Sequence, residues 1–496
     1  MRVLNTLSGR KDEFVPGGDP VKMYVCGVTP YGECHIGHAM SYIIFDVIRR
    51  YLEFRGYRVK HVQNFTDIDD KIIARSNQLG ISARDLADRY IEHYFKDMDA
   101  LNVQRAHVYP KATEEIFKII EVVQGLIDKG HAYQSGGDVY FRVRSLHDYG
   151  KLSRRPIDEM RTVEDAGDKE HPMDFTLWKA AKPNEPYWES PWGLGRPGWH
   201  IECSAMCLRY LGSSLDIHGG GQDLVFPHHE NEIAQSEAFT GSVPFVMYWL
   251  HNGLLQLGGE KMSKSVGNLI TVQEAVTRWS PDALRLFILS SHYRSPLTYS
   301  EEGLDAAERG VGRLRLVVHR EGGGESAANL EVEPYWQRFL DAMDDDFNTP
   351  QAVATLFDLS KEINWLMEEG CSVEKGKKTL VELASVLGLM LPAPKVRTVS
   401  LKAGVGLAGE ERQQINQVLD DIRSELDAAH EQAVRTRIGG RQSVDVEADI
   451  ELLVSIRNEL RNAKKWALAD RIRRRLADLD VVLEDTDQGT VWRYRR

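Results

Sequence analysis

The stretch from Lys22 to His38, KMYVCGVTPYGECHIGH, limits what this chain can fold into more than any other. Met23–Cys26 is an apolar run of strand length, and Thr29, Pro30 and Gly32 mark a loop after it. His35-Ile36-Gly37-His38 then opens a segment with apolar residues at 40, 43, 44, 47, 48, 51 and 52. That i, i+3, i+4 stripe predicts a helix packed on a sheet, stopped by Gly56. A strand, a turn and a helix N-terminus in succession make an anion site, because unpaired N–H groups and the positive end of the macrodipole face one spot. Gly37 lets something flat approach the backbone, and His35 and His38, three apart, can donate to phosphate oxygens.

The rest of the chain extends this unit into a doubly wound, Rossmann-like α/β domain. A second strand near Arg58–Gln63 delivers Thr66 to the crevice that Cys26 faces, since ligands of such sheets sit beyond the carboxyl ends of strands. Helices over 69–131 complete a first half spanning 1–130. From 131 to 192 short alternating strands replace them, which reads as an inserted connective segment. It is too short for a separate hydrolytic domain of ordinary size. The second half, 193–268, holds helical spacing in WHIECSAMCLRYLG, a strand ending in three glycines (LDIHGGGQDL), a further helix (HHENEIAQSEAF) and the buried strand VPFVMYWLHNGLLQL. It closes on GGEKMSKSVGN, a glycine-flanked loop with two lysines that can move over a ligand. A stem segment follows (269–305), with a Ser-capped, Pro-initiated helix at 280–291. Then come a helical bundle (306–391), a linker and helix (392–444), and a small α+β tail of two helices and a hairpin (445–496).

Composition narrows the function. A net charge of −12 argues against indiscriminate nucleic-acid binding, yet RNAKKWALADRIRRR (461–475) carries seven basic residues and one acid around Trp466. Such a patch can neutralise phosphates while the ring stacks on an unpaired base, although basic helices are also common as solvated surface. The N-terminus lacks a signal-type apolar segment and no run reaches the roughly 18 apolar residues that span a bilayer, so no membrane contact and a cytoplasmic location are expected. The five cysteines (26, 34, 203, 207, 371) are odd in number and too few for a disulfide scaffold, which leaves reduced thiols or metal ligation. His228 and Glu232, four apart, share one helix face, whereas His229 pairs with Ile233 on another. Spacing alone leaves a metal and a plain cysteine core both open, because there is no CxxC pair. The lysine loop is equally compatible with solvated surface.

Seven blocks in order resemble the class I aminoacyl-tRNA synthetases, and specifically the cysteinyl-tRNA synthetase family. They are CGVTPYGECHIGHA (26–39), NFTDIDDKI (64–72), GWHIECSAM (198–206), DIHGGGQDLVFPHHENEIAQSEA (216–238), GGEKMSKSVGN (258–268), DFNTP (346–350) and LEDTDQGTVW (483–492). The resemblance implies a ligase that converts L-cysteine and ATP, with Mg2+, to an adenylate and passes the acyl group to cysteine tRNA. It implies one Zn2+ on Cys26, Cys203, His228 and Glu232, where the substrate's sulfur would complete the coordination, with Cys34, Cys207 and Cys371 structural. It places His35, Gly37, His38, Lys261 and Lys264 at ATP, Thr66 and Trp199 at the cysteine pocket, and Asp223 at the substrate ammonium. The basic tail becomes an anticodon-recognition module, and the enzyme is expected to be a monomer. Residues 392–444 match poorly, and Met40-Ser41-Tyr42 stands where many relatives carry a basic residue. The rivals are a ligase that joins cysteinyl adenylate to a small amino sugar, which would need no basic tail, and a catalytically inactive tRNA-binding paralogue.

Overall fold

A computed structural model describes residues 1–160, 168–257, 260–261, 270–320, 330–393, 446–462, 466–478, 481–486 and 489–494. The chain divides into two units, Met1–Lys395 and Val396–Arg496. The linker and helix expected at 392–444 therefore lie almost entirely outside the described residues, as does Lys264.

The first unit begins with a hairpin, β1 (Arg2–Asn5) and β2 (Arg10–Glu13), and its centre is a parallel sheet. Strands β3 (Val21–Val25) and β4 (Val59–Gln63) are joined through helix α1 (Ile36–Phe54). Helices α2 (Asp70–Leu79), α3 (Ala83–Ala100) and α4 (Ile116–Asp128) follow. An antiparallel sheet of β5 (Ala132–Ser135), β6 (Asp138–Phe141), β7 (Phe175–Ala180) and β8 (Gly195–Pro197) interrupts the domain, so the inserted sheet runs past the expected boundary at 192. Helix α5 (Trp199–Tyr210), strand β9 (Leu215–Gly221), helix α6 (Glu230–Thr240) and strand β10 (Val246–Asn252) return to the central sheet. Its order is β10-β9-β3-β4, with every neighbouring pair parallel. Met23, Tyr24 and Val25 are fully buried, as a central strand covered on both faces requires.

Helix α1 follows its stripe. Met40, Ile43, Ile44, Val47, Ile48, Tyr51 and Leu52 are all buried, and Gly56, at φ +88°, turns the chain away in the left-handed region. Its buried face also carries a charge. Asp46 accepts from Arg285 Nη2 at 2.5 Å, and both side chains are inaccessible to solvent. Arg285 lies on the helix Pro281–Leu289 and also donates to the carbonyls of Leu101 and Leu387, each at 3.0 Å. Asp46 further accepts from Arg50 Nε at 2.8 Å and Gln104 N at 2.9 Å. A single buried guanidinium thus ties α1 to the loop after α3 and to the end of the bundle helix Glu374–Val386.

In the second unit, helices Val446–Asn462 and Trp466–Asp478 precede a hairpin of Val481–Thr486 and Gly489–Tyr494. Ile450, Leu453, Leu460, Ile472, Leu476 and Val481 form its core, while Arg471, Arg473, Arg474 and Arg475 lie on the exposed side of the second helix. Trp466 is 56% exposed, with the Arg461 guanidinium 5.9 Å from its ring centroid. No helix among the described residues is long and apolar enough to cross a membrane.

Candidate active site and metal centre

Cys26 follows directly on β3, Cys203 lies inside α5, and Glu232 lies in the first turn of α6. His228 precedes α6 in a wide turn, Val225–His229, where Phe226 is extended. All four side chains are buried, and one donor atom from each falls within 4.8 Å of the others. Cys26 Sγ is 3.9 Å from Cys203 Sγ and 3.7 Å from Glu232 Oε1. His228 Nε2 is 3.5 Å from Cys203 Sγ and 3.1 Å from Glu232 Oε1. A tetrahedral zinc with bonds of about 2.3 Å to sulfur and about 2.0–2.1 Å to nitrogen or oxygen sets its donors roughly 3.3–3.8 Å apart. The donor set therefore fits. Glu232 Oε2 adds a second sign, being a buried carboxylate oxygen with no hydrogen-bond partner. Burial raises the Glu232 carboxyl and the Cys26 thiol well above their ordinary values, whereas the hydrogen bond with Cys26 brings Cys203 down to about 7.

The reading of His229 as facing away needs correction. Its Nε2 lies 3.2 Å from Cys26 Sγ and 3.9 Å from Glu232 Oε1. Glu232 is four residues on from His228 and three on from His229, and both offsets fall on one helix face, so neighbouring histidines converge on one acid. With His218, whose Nε2 is 3.5 Å from Cys26 Sγ, His229 completes a second buried set, Cys26, His218, His229 and Glu232. Two thiols rather than one favour the first set for a soft-ligand metal.

Sequence reasoning missed four residues around this centre. His200 Nδ1 lies 2.9 Å from His228 Nδ1, which turns His228 Nε2 toward Cys203. His229 Nδ1 contacts His251 Nε2 at 2.7 Å. Burial drives His200, His218 and His229 far below their ordinary values and lowers His251 to about 3, so these rings are neutral. Glu202, also buried and with its carboxyl pushed up by desolvation, accepts from the Thr66 hydroxyl at 2.8 Å. A signal existed for His218 and His251, since both sit toward the carboxyl ends of adjacent strands.

Thr66 is buried beyond the end of β4, at the same carboxyl end of the sheet as Cys26. Trp199, 42% exposed, stacks on His228 with centroids 4.3 Å apart and planes at 23°. Asp223 lies on an exposed turn just past Gly221. The crossing from β3 depends on Gly27. A Cβ there would sit 1.5 Å from the Asn64 carbonyl oxygen, while Asn64 Oδ1 accepts from Gly27 N at 2.8 Å. Gly27→Ala must push apart the two strand ends that carry Cys26 and Thr66. A loss of about 1–3 kcal/mol in stability and a reduced metal content are expected, checked by denaturant unfolding and elemental analysis.

His35 and His38 build the N-terminus of α1. His35 is its N-cap, its Nδ1 accepting from His38 N at 3.3 Å, and His38 Nδ1 accepts from His35 N at 3.4 Å. The rings stack with centroids 3.6 Å apart. With each Nδ1 used as an acceptor, a neutral ring carries its proton on Nε2, the donor a phosphate oxygen needs. The segments flanking the lysine loop meet this helix end. Lys261 pairs with Gln256 in a short antiparallel ladder, Ile36 N donates to Ile270 O at 3.1 Å, and Val272 N donates to Cys34 O at 2.9 Å.

The profile described as "tRNA synthetases class I (C) catalytic domain" matches residues 14–309. Those of a "DALR domain" and a "Cysteinyl-tRNA ligase anticodon binding domain" match 338–391 and 443–493. A cysteine-tRNA ligase of Dehalococcoides mccartyi strain 195 is 53% identical over 500 residues, covering 100% of both chains. The chain belongs to the cysteine-tRNA ligase family. Another member, from Aquifex aeolicus, is 46% identical over 511 residues, covering 100% of this chain and 99% of its own. Among solved structures, the methionyl-tRNA synthetase of Mycobacterium tuberculosis in complex with methionyl-adenylate overlays with a TM-score of 0.54 at 16% identity, covering 75% of this chain and 90% of that one. At that identity the likeness establishes the class I fold alone.

Proposed function

We propose that this chain attaches L-cysteine to cysteine tRNA in two steps. The cysteine carboxylate attacks the α-phosphorus of ATP and the α–β bond breaks, releasing pyrophosphate and leaving cysteinyl adenylate. A ribose hydroxyl of the tRNA terminal adenosine then attacks the acyl carbon and AMP leaves. The observation that carries this reading is the buried Cys26, Cys203, His228 and Glu232 cluster, in which Cys26 follows the carboxyl end of β3 and leads nine residues on to the His35–His38 helix end.

The carboxylate is already a nucleophile, so the residues must supply charge neutralisation and alignment rather than a base. His35 and His38 would donate Nε2–H to the triphosphate, which accompanies Mg2+, with Gly37 letting the nucleotide approach the backbone. Lys261 and Lys264 would reach the same phosphates as point charges. Thr66, held by Glu202, and Trp199, laid against His228, would wall the amino-acid pocket, and Asp223 would meet the substrate ammonium. A zinc ion on the four donors would supply a soft Lewis-acid site that takes a thiolate as a further ligand and not a serine hydroxyl. Rejection of serine by roughly 10⁴ to 10⁵ then needs no hydrolytic domain, which agrees with the small inserted sheet. The exposed arginine face beside Trp466 supports a tRNA acceptor over a small amino sugar. We place the enzyme in the cytoplasm, as a monomer.

Cysteine-dependent ATP–pyrophosphate exchange tests the first step and charging of cysteine tRNA the second. Metal removal by a chelator is expected to abolish exchange, and added zinc to restore it. Exchange that persists at full rate in metal-free protein would refute the role given to the cluster.

A further inference from the structure

Three consecutive aspartates precede the bundle helix Thr349–Glu368, and each grips a different part of the chain. Asp344 accepts from the Tyr51 hydroxyl of α1 at 2.6 Å, and Asp345 from Lys11 Nζ of β2 at 2.7 Å. Asp346, which opens the block DFNTP, is fully buried. Its Oδ1 accepts from Leu4 N at 2.8 Å and from the Tyr293 hydroxyl at 2.9 Å. Its Oδ2 accepts from Arg294 Nε at 2.7 Å, with His292 Nε2 3.7 Å away. Two distant segments therefore converge on one carboxylate. The backbone is strained to bring it there: Asp346 at φ +67° and Phe347 at φ +51° are successive non-glycine residues in the left-handed region, a conformation that only surrounding contacts can hold. Asn348 then caps the helix, accepting from Gln351 N at 3.3 Å.

The segment that Asp346 grips, 292–295, leads to the base of the lysine hairpin. Tyr293 O accepts from Gly253 N at 2.8 Å, and a Cβ on Gly253 would lie 2.2 Å from Ser295 O, so the two stretches of backbone are in direct contact. Just beyond, strand β13 (Leu297–Tyr299) pairs in parallel with β11 (Leu255–Leu257). In turn β11 pairs with β12 (Glu260–Lys261), which sets Lys261 opposite Gln256. Asn252, the residue before Gly253, accepts from the Ser41 hydroxyl of α1 at 2.8 Å, three residues on from His38. The Asp346 carboxylate is thus joined in a few bonded steps to the strand that carries Lys261 and to the helix that His35 and His38 begin.

We propose that Asp346 is a positioning residue for the activation of ATP: by fixing segment 292–295 it sets where Lys261 stands relative to the helix end formed by His35 and His38. The proposal rests on the two-step reading above and takes from it the contact of Lys261 with the triphosphate. Asp346→Asn keeps the shape and suits the left-handed backbone, but it turns an NH2 group against Arg294 Nε, donor against donor. In cysteine-dependent exchange it should raise the KM for ATP about 10-fold, the size of one charge-assisted contact, and leave the KM for cysteine and the inhibition constant of adenosine, which has no phosphate, within about twofold. A merely structural role would lower the amount of active protein and move none of the three constants. Arg294→Met removes the other partner, leaves the Leu4 and Tyr293 bonds in place, and should raise the KM for ATP likewise. It decides alone if Asp346→Asn does not fold. In the double variant the two effects should not add, because one bond carries both. An unchanged KM for ATP in the folded variants, a rise shared by cysteine or adenosine, or full additivity would each overturn the assignment. A parent protein inert in exchange would overturn the activity itself, and the proposal with it.

Discussion

Cys203→Ser is expected to leave the protein without its metal and to lower cysteine-dependent pyrophosphate exchange by on the order of 10³-fold or more. The hydroxyl is nearly isosteric, so packing changes little. What changes is the donor: Cys203 Sγ contacts both Cys26 Sγ and His228 Nε2. Cys207 provides the control. It lies one turn further along α5 and is equally buried, but belongs to neither candidate set. Cys207→Ser should retain its metal and most of its exchange rate, so a comparable loss in both variants would mean that α5 merely tolerates no polar group. Elemental analysis and initial-rate exchange on the two variants decide between these outcomes.

The second large effect concerns stability. Arg285→Met removes the guanidinium and leaves Asp46 buried among apolar residues of α1 with only Arg50 and Gln104 as side-chain and backbone partners. Breaking one side of a fully buried pair costs about 3–5 kcal/mol, and three carbonyls on two other segments lose a donor as well. The melting transition of the first unit should fall by on the order of 10 °C. The double variant Asp46→Leu with Arg285→Met removes the desolvated carboxylate, together with its remaining pairing to Arg50, and should recover part of the loss. Differential scanning calorimetry of the three proteins measures this. A double variant less stable than Arg285→Met alone would show that the remaining hydrogen bonds of Asp46, not its charge, dominate.

The sheet and α1 were legible because one periodicity ran through them and caps marked their ends. The site was legible in parts. Cys26 and Cys203 are 177 residues apart, and the four donors come from three separate segments, so only the His228–Glu232 spacing is local. Their pairing came from block-wise resemblance, and the donor distances now supply a geometric reason for it. His229 was misplaced because its i+3 neighbour, Glu232, shares its helix face as fully as its i+4 neighbour, Ile233. Asp46 and Arg285 went unread because charged residues are taken as surface until a partner is known, and that partner lies 239 residues away. Glu202 escaped for the same reason. Lys264 and the segment 394–445 lie outside the described residues, so the expectations for them stand as made.

X-ray absorption at the zinc edge of the purified protein tests the central claim most directly. The four-donor cage predicts two sulfur neighbours at about 2.3 Å and two lighter ones at about 2.0–2.1 Å, rising to three sulfurs when cysteine is added and unchanged with serine. A protein that holds no zinc, or a sulfur count indifferent to cysteine, would contradict it.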